Sequence, residues 1–151
     1  KCLLKMNEED KKNQERQFLP SLSELLDRLT VTQIKQALLG DKNKDFYNEI
    51  NKLSNDIDII IKKENIKLDS RIIRIIVLIS QINLHIWKNK DLMQENLENN
   101  EEYLKLLKLA HQLNGIRNRM KNQLLEIEGS KDESQKKSNF ETDNLDWDID
   151  I

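Results

Sequence analysis

Phe46, Ile50, Leu53, Ile57 and Ile60 step along the chain by four, three, four and three residues. Each residue of an α-helix turns about 100° from the last, so this spacing gathers the five side chains on one face. A strand would scatter them over both of its faces. A helix with such a stripe needs another apolar surface to cover it, and the rest of the chain has the composition to supply one. Only 3 Gly and 1 Pro occur in 151 residues, against 34% charged and 37% hydrophobic residues. Few breakers and few aromatics favour helices over a turn-rich β fold.

The punctuation marks four main helices. After Pro20, Ser21 and Glu24 match a capping box, and Leu22, Leu25, Leu26 and Leu29 share a face as far as Gly40, which suits a C-terminal cap. Thr30 and Gln33 repeat the capping-box pattern, which predicts a kink or a fresh start at Thr30. The second helix spans 45–64 and the third 70–90, opened by Asp69 or Ser70. In the third, Ile72, Ile73, Ile75, Ile76, Val77, Leu78 and Ile79 are apolar on nearly all sides, the pattern of a central, buried element, with Trp87 in the core. The fourth spans 101–128 after Asn99 or Asn100, along Leu106, Leu113, Met120, Leu124 and Ile127. The expected fold is all-α: a polar arm over 1–19, an antiparallel four-helix bundle over 20–128, and an acidic tail over 129–151 expected to be disordered.

Charge and cysteine content narrow the function. The net charge is −2; residues 129–151 hold 3 bases and 7 acids, a net of −4, which leaves +2 for the remainder. Neither value gives the clustered basic face that nucleic acid requires. Cys2 is the single cysteine, so no internal disulfide forms and a cytoplasmic setting is expected. The opening KCLLKM is too short for a signal peptide, and the apolar run 72–80, broken at Arg74, falls short of a membrane span. No phosphate loop, nucleophile elbow, CxxC or HExxH is present, so no cofactor and no metal site is expected. His85 and His111 lack metal-ligand spacing and read as exposed or structural. Glu95, Glu98, Glu101 and Glu102 resemble the acidic spacing of some magnesium-dependent nucleotide hydrolases, but sit in an Asn-rich connection and read as a solvated turn.

Polar residues in awkward places are the candidates for a site. On the first helix Glu24, Asp27 and Arg28 lie opposite the leucines, either as a solvated face with a Glu24–Arg28 pair or as the wall of a groove closed by another helix. Asn83 shares the apolar side of the third helix, and a buried amide needs partners. Arg117 flanks the stripe of the fourth, with Asn114 and Lys121 on the same edge. A guanidinium beside a core stripe usually finds a carboxylate, and Asp27 or Glu24 is the expected one. Such a cluster makes either a salt bridge that fixes helix register or a pocket for phosphate or carboxylate. At the far end of the chain, Leu145, Trp147 and Ile149 alternate with acids, a pattern suited to a segment that folds onto a basic, apolar groove of a protein partner.

Glu24, Leu25, Leu26, Asp27, Arg28, Leu29 and Thr30, followed by Ile34 and Lys35, resemble the opening of a family of small all-helical bacterial domains found near cell-surface polysaccharide genes. Asn114, Arg117 and Lys121 resemble that family's late-helix motif, with a departure around Gly115. The resemblance spans residues 20–128, carried by the two end motifs. It implies a helical domain with a polar cluster between its ends and no transferable activity. The resulting expectation is a non-enzymatic interaction module, accessory to surface-polysaccharide assembly, with a protein partner. A homodimer is also compatible with the apolar third helix. The rival is a small enzyme or binder of an anionic, phosphate- or sugar-linked ligand built on Asp27, Glu24 and Arg117.

Overall fold

The computed structural model describes residues 19–129, and every regular element among them is a helix: α1 Leu22–Leu39, α2 Asp45–Lys63, α3 Ser70–Glu95 and α4 Asn100–Glu128. The arm before residue 19 and the acidic segment after Gly129 lie outside the described residues. Side chains start three of the helices by accepting the backbone N–H groups that the first turn leaves without partners. Ser21 Oγ accepts from Glu24 N at 3.3 Å, Asp69 Oδ1 from Arg71 N at 3.0 Å and Ile72 N at 3.1 Å, and Asn99 Oδ1 from Glu102 N at 3.3 Å. Gly40 ends α1 at φ 73°, a left-handed conformation that side chains resist.

The start of α2 is built differently. Lys44 occupies the cap position in a left-handed conformation without a side-chain bond to the helix. Asp41 reaches forward instead, accepting from Phe46 N at 3.1 Å and Tyr47 N at 2.7 Å while Gln36 Nε2 donates to it at 3.2 Å. Burial opposes the Asp41 charge, but these hydrogen bonds outweigh it and hold the carboxyl below its ordinary value. The same corner borders an open depression of about 310 Å³ lined by Gln36, Asp41, Lys44 and Tyr47.

One core joins all four helices: Leu22, Leu25 and Leu26 of α1, Leu53 and Ile57 of α2, Ile72, Ile75, Ile79 and Ile82 of α3, and Leu113, Ile116, Met120 and Leu124 of α4. Burying each Leu or Ile side chain stabilises the fold by roughly 1.5–3 kcal/mol before conformational entropy is subtracted. α1 packs against each of the other three helices, whereas α2 packs mainly against α1. α3 and α4 form the broadest pair. Asn89 Nδ2 donates to Leu106 O at 2.9 Å and Arg117 Nη1 to Asn83 Oδ1 at 3.3 Å, so these two helices run in opposite directions.

Four details differ from the sequence expectation. Thr30 starts no second helix; α1 is continuous, and the Thr30 hydroxyl donates back to Asp27 O at 2.8 Å. The central element is α1 rather than α3. α1 buries Ser23, Thr30 and Thr32 along with its leucines, while α3 leaves Ile73 56% and Val77 50% exposed. Trp87 is part-buried and is not among the core residues. α3 also runs five residues past the expected end, to Glu95, and is long and apolar enough to cross a membrane by length and composition alone.

Candidate functional site

The buried polar groups of the bundle converge where α1, α3 and α4 meet. Ser23, Asp27 and Thr30 of α1 recur at helical spacing beside the leucine stripe and face the other two helices. Lys121 of α4 lies against them with a side chain only 6% exposed. Its ammonium pairs with Asp27 Oδ2 at 3.0 Å and Glu24 Oε2 at 3.1 Å. The Asp27 side chain is 14% exposed and that of Glu24 40%, so the pair is enclosed on one side and open on the other. Ser23 Oγ donates to Lys121 O at 2.9 Å and fixes the distance between the two backbones.

Asn83 of α3 completes the junction. Its amide nitrogen donates to Asp27 Oδ1 at 2.8 Å and to Thr30 Oγ1 at 2.8 Å, and its amide oxygen accepts from Arg117 Nη1 at 3.3 Å. Arg117 Nη2 donates to Asn114 Oδ1 at 2.6 Å. Both Asp27 oxygens, both Asn83 amide protons and the Thr30 hydroxyl are engaged, which the cost of burying unpaired polar atoms demands. Arg117 Nε is the exception: it is buried without a hydrogen-bond partner.

Five of the six residues proposed from sequence meet here: Glu24, Asp27, Asn114, Arg117 and Lys121. Arg28 does not. It is 67% exposed and pairs with Glu49 of α2 through Nε at 2.6 Å, not with Glu24. The partners within the junction also differ from the expected ones. Lys121 takes the carboxylates assigned to Arg117, and Arg117 rests on the two amides of Asn83 and Asn114. The lysine's single ammonium fits between two acids converging from one helix, whereas the planar guanidinium spreads its donors over amide oxygens on two helices. Thr30 was missed as a member because its sequence signature is that of a cap.

Other candidates fall elsewhere. His85 and His111 are exposed. Glu101 and Glu102 pair with Lys105 at 2.9 Å and 3.8 Å on the surface of α4. Among the described residues no group of three or more His, Cys, Asp or Glu side chains could hold a metal ion. Leu145, Trp147 and Ile149 lie outside the described residues. At the outer end of the α1–α4 contact, Leu22 N donates to Glu128 Oε1 at 3.2 Å. Burial raises the Glu128 pKa, the Leu22 N–H opposes that rise, and the nearby Glu64 adds to it.

Comparison with protein-family models, with curated proteins and with solved structures gives no match for this chain. The functional argument therefore rests on the junction and on the surfaces around it.

Proposed function

We propose that the chain is a non-enzymatic helical interaction module. The observation that carries this reading is the closure of the polar junction: its lysine is neutralised by two acids and its central amide is engaged on three sides. Groups held in this way set the register of α1, α3 and α4 and leave no base or nucleophile free to react. The working element is then the acidic, apolar segment 143–151, whose Leu145, Trp147 and Ile149 alternate with Asp146, Asp148 and Asp150 and suit a basic, apolar groove on a protein partner. The resemblance of the two end motifs to domains encoded near polysaccharide genes supports a role accessory to cell-surface polysaccharide assembly. Proximity labelling in a bacterial host tests the reading. Polysaccharide-assembly proteins are expected among the neighbours of the full chain and are lost when residues 143–151 are deleted. An unchanged set of neighbours refutes it.

A second reading is favoured by one atom group. Arg117 is held by neutral amides, and its Nε has no partner. A guanidinium with its charge uncompensated by a carboxylate suits a phosphate or carboxylate ligand. Thermal-shift measurements with nucleotide sugars, with and without Mg²⁺, decide it. A ligand that raises the melting temperature of the wild type but not of Arg117→Ala would replace the first reading.

A further inference from the structure

Where α3 ends, the chain turns and α4 begins, the bundle carries charge that the fold does not balance. Residues 91–104 hold five acids, Asp91, Glu95, Glu98, Glu101 and Glu102, and no base. Glu101 and Glu102 stand at the start of α4, where the helix dipole favours acids, and both pair with Lys105. Asp91 and Glu95 have neither support. They stand near the C-terminal end of α3, where the dipole disfavours negative charge, and the last turn of α3 holds no base. The end of α2, by contrast, carries Lys62 and Lys63. Asp91, Glu95 and Glu98 are exposed and make no ion pair among the described residues. Apolar groups share this end. Leu92, Leu97 and Leu104 are all exposed, and Leu92 and Leu104 lie within about 6 Å of the connecting turn that holds Leu97, at about 1.5 Å per residue. One turn further in, Asn89 is 2% exposed and ties the two helices together, its Nδ2 donating to Leu106 O at 2.9 Å and reaching Met93 Sδ at 3.7 Å. Its Oδ1 is buried without a donor and adds an uncompensated partial charge of the same sign.

We infer that this end of the α3–α4 hairpin is a docking surface for a basic, amphipathic helix of a partner protein. The exposed leucines take the apolar face of that helix, and Asp91, Glu95 and Glu98 take its lysines or arginines. Charge selects this occupant. Nucleic acid and an anionic membrane have the same sign as the surface and are repelled. A second copy of the chain brings its own acidic end, and a two-fold pairing of the two ends sets like against like. A metal ion finds no seat, since no group of three or more His, Cys, Asp or Glu side chains among the described residues could hold one. Placing two unpaired acids at the wrong end of a helix costs stability, and a local conflict of that kind belongs to a surface kept for another purpose. The inference goes beyond the proposed function, because it uses a surface of the bundle and not residues 143–151.

The test titrates the isotope-labelled full chain with a synthetic amphipathic helix of leucine and lysine, and separately with a lysine–serine peptide of equal charge. The amide signals of Leu92, Glu95, Leu97 and Leu104 should shift with the leucine–lysine peptide, while that of Asp58 on α2 stays in place. Affinity should fall about tenfold with Leu92→Ser combined with Leu97→Ser, and by a similar factor with Asp91→Asn, Glu95→Gln and Glu98→Gln combined. All five side chains are exposed, so both variants should keep the helical circular-dichroism signal, and the melting temperature of the charge variant should hold or rise. Deleting residues 143–151 should leave the shifts in place, so this inference and the proposed function fail separately. Amides that do not move in excess peptide overturn the inference. Equal binding of the lysine–serine peptide overturns it too, because charge alone would then account for the contact, and so does binding undiminished in either variant. A charge variant that melts lower gives the acids a structural duty and counts against it in the same way. Shifts that grow with protein concentration in the absence of peptide, alongside a sedimenting dimer, assign the leucines to a second copy and overturn the partner helix.

Discussion

α1 and α3 invert what their sequences promise. α1 carries Ser23, Asp27, Thr30 and Thr32, yet it is the most enclosed helix, and these side chains are buried or nearly so. α3 is apolar on nearly every side, yet half of Ile73 and Val77 stands in solvent. The difference lies in the number of neighbours. α1 meets three helices and needs more than one buried face, of which one is apolar and the other is hydrogen-bonded. α3 meets α1 and α4 and has more apolar surface than those two helices cover. Burial follows topology, and composition indicates only which chemistry each buried face will use.

The polar face of α1 is where the comparison breaks most easily. Asp27→Ala leaves the Lys121 ammonium enclosed with only the half-exposed Glu24 as its partner. The expected loss is about 3–5 kcal/mol in urea unfolding, the usual result of removing one member of a buried pair. Removing both charges, as Asp27→Leu with Lys121→Met, should cost clearly less than the two single changes together, because no orphan charge remains. Additive losses would mean that the pair is not coupled. Asn83→Leu strips the α3 side of the junction and should cost about 1–3 kcal/mol, measured in the same way, because Arg117 and Thr30 lose their bridge.

Much of this contrast was legible in the sequence. The four helices and their caps follow from period and punctuation, and Asn83 and Arg117 stood out because their wheel positions put polar groups beside apolar stripes. What was not legible depended on which helix lies opposite which. Glu24 and Arg28 have the spacing of a surface pair, but Glu49 of α2 is closer to Arg28, and nothing local encodes that distance. Thr30 carries a cap signature that the continuous helix overrides once Asn83 supplies its hydroxyl with a tertiary partner. Whether Lys121 or Arg117 meets Asp27 depends on the rotation of α4, which residue spacing does not specify.

The apolar face of α3 sharpens the comparison from the other side. Ile73→Ser should change unfolding stability by no more than about 0.5 kcal/mol, because the side chain is already largely in water. A large loss would mean that this face of α3 is covered by a group beyond the four helices. The smallest effect is expected at Glu128. Its pKa is raised in the fold, so its contribution favours the native state at low pH and weakens as pH rises from its ordinary value of 4.5 through the folded value. Glu128→Gln should flatten that part of the stability–pH curve, and an unaltered curve would count against the burial of this carboxyl.

The mainly single-sided packing of α2 has a consequence for motion. The junction and the broad α3–α4 pairing lie away from it, so α2 can detach from α1 while the other three helices stay locked. Native-state hydrogen exchange should then release the amides of Asp45–Lys63 as one early unit, ahead of those around Asp27, Asn83 and Lys121. The helix with the clearest amphipathic signature in the sequence would be the first to open.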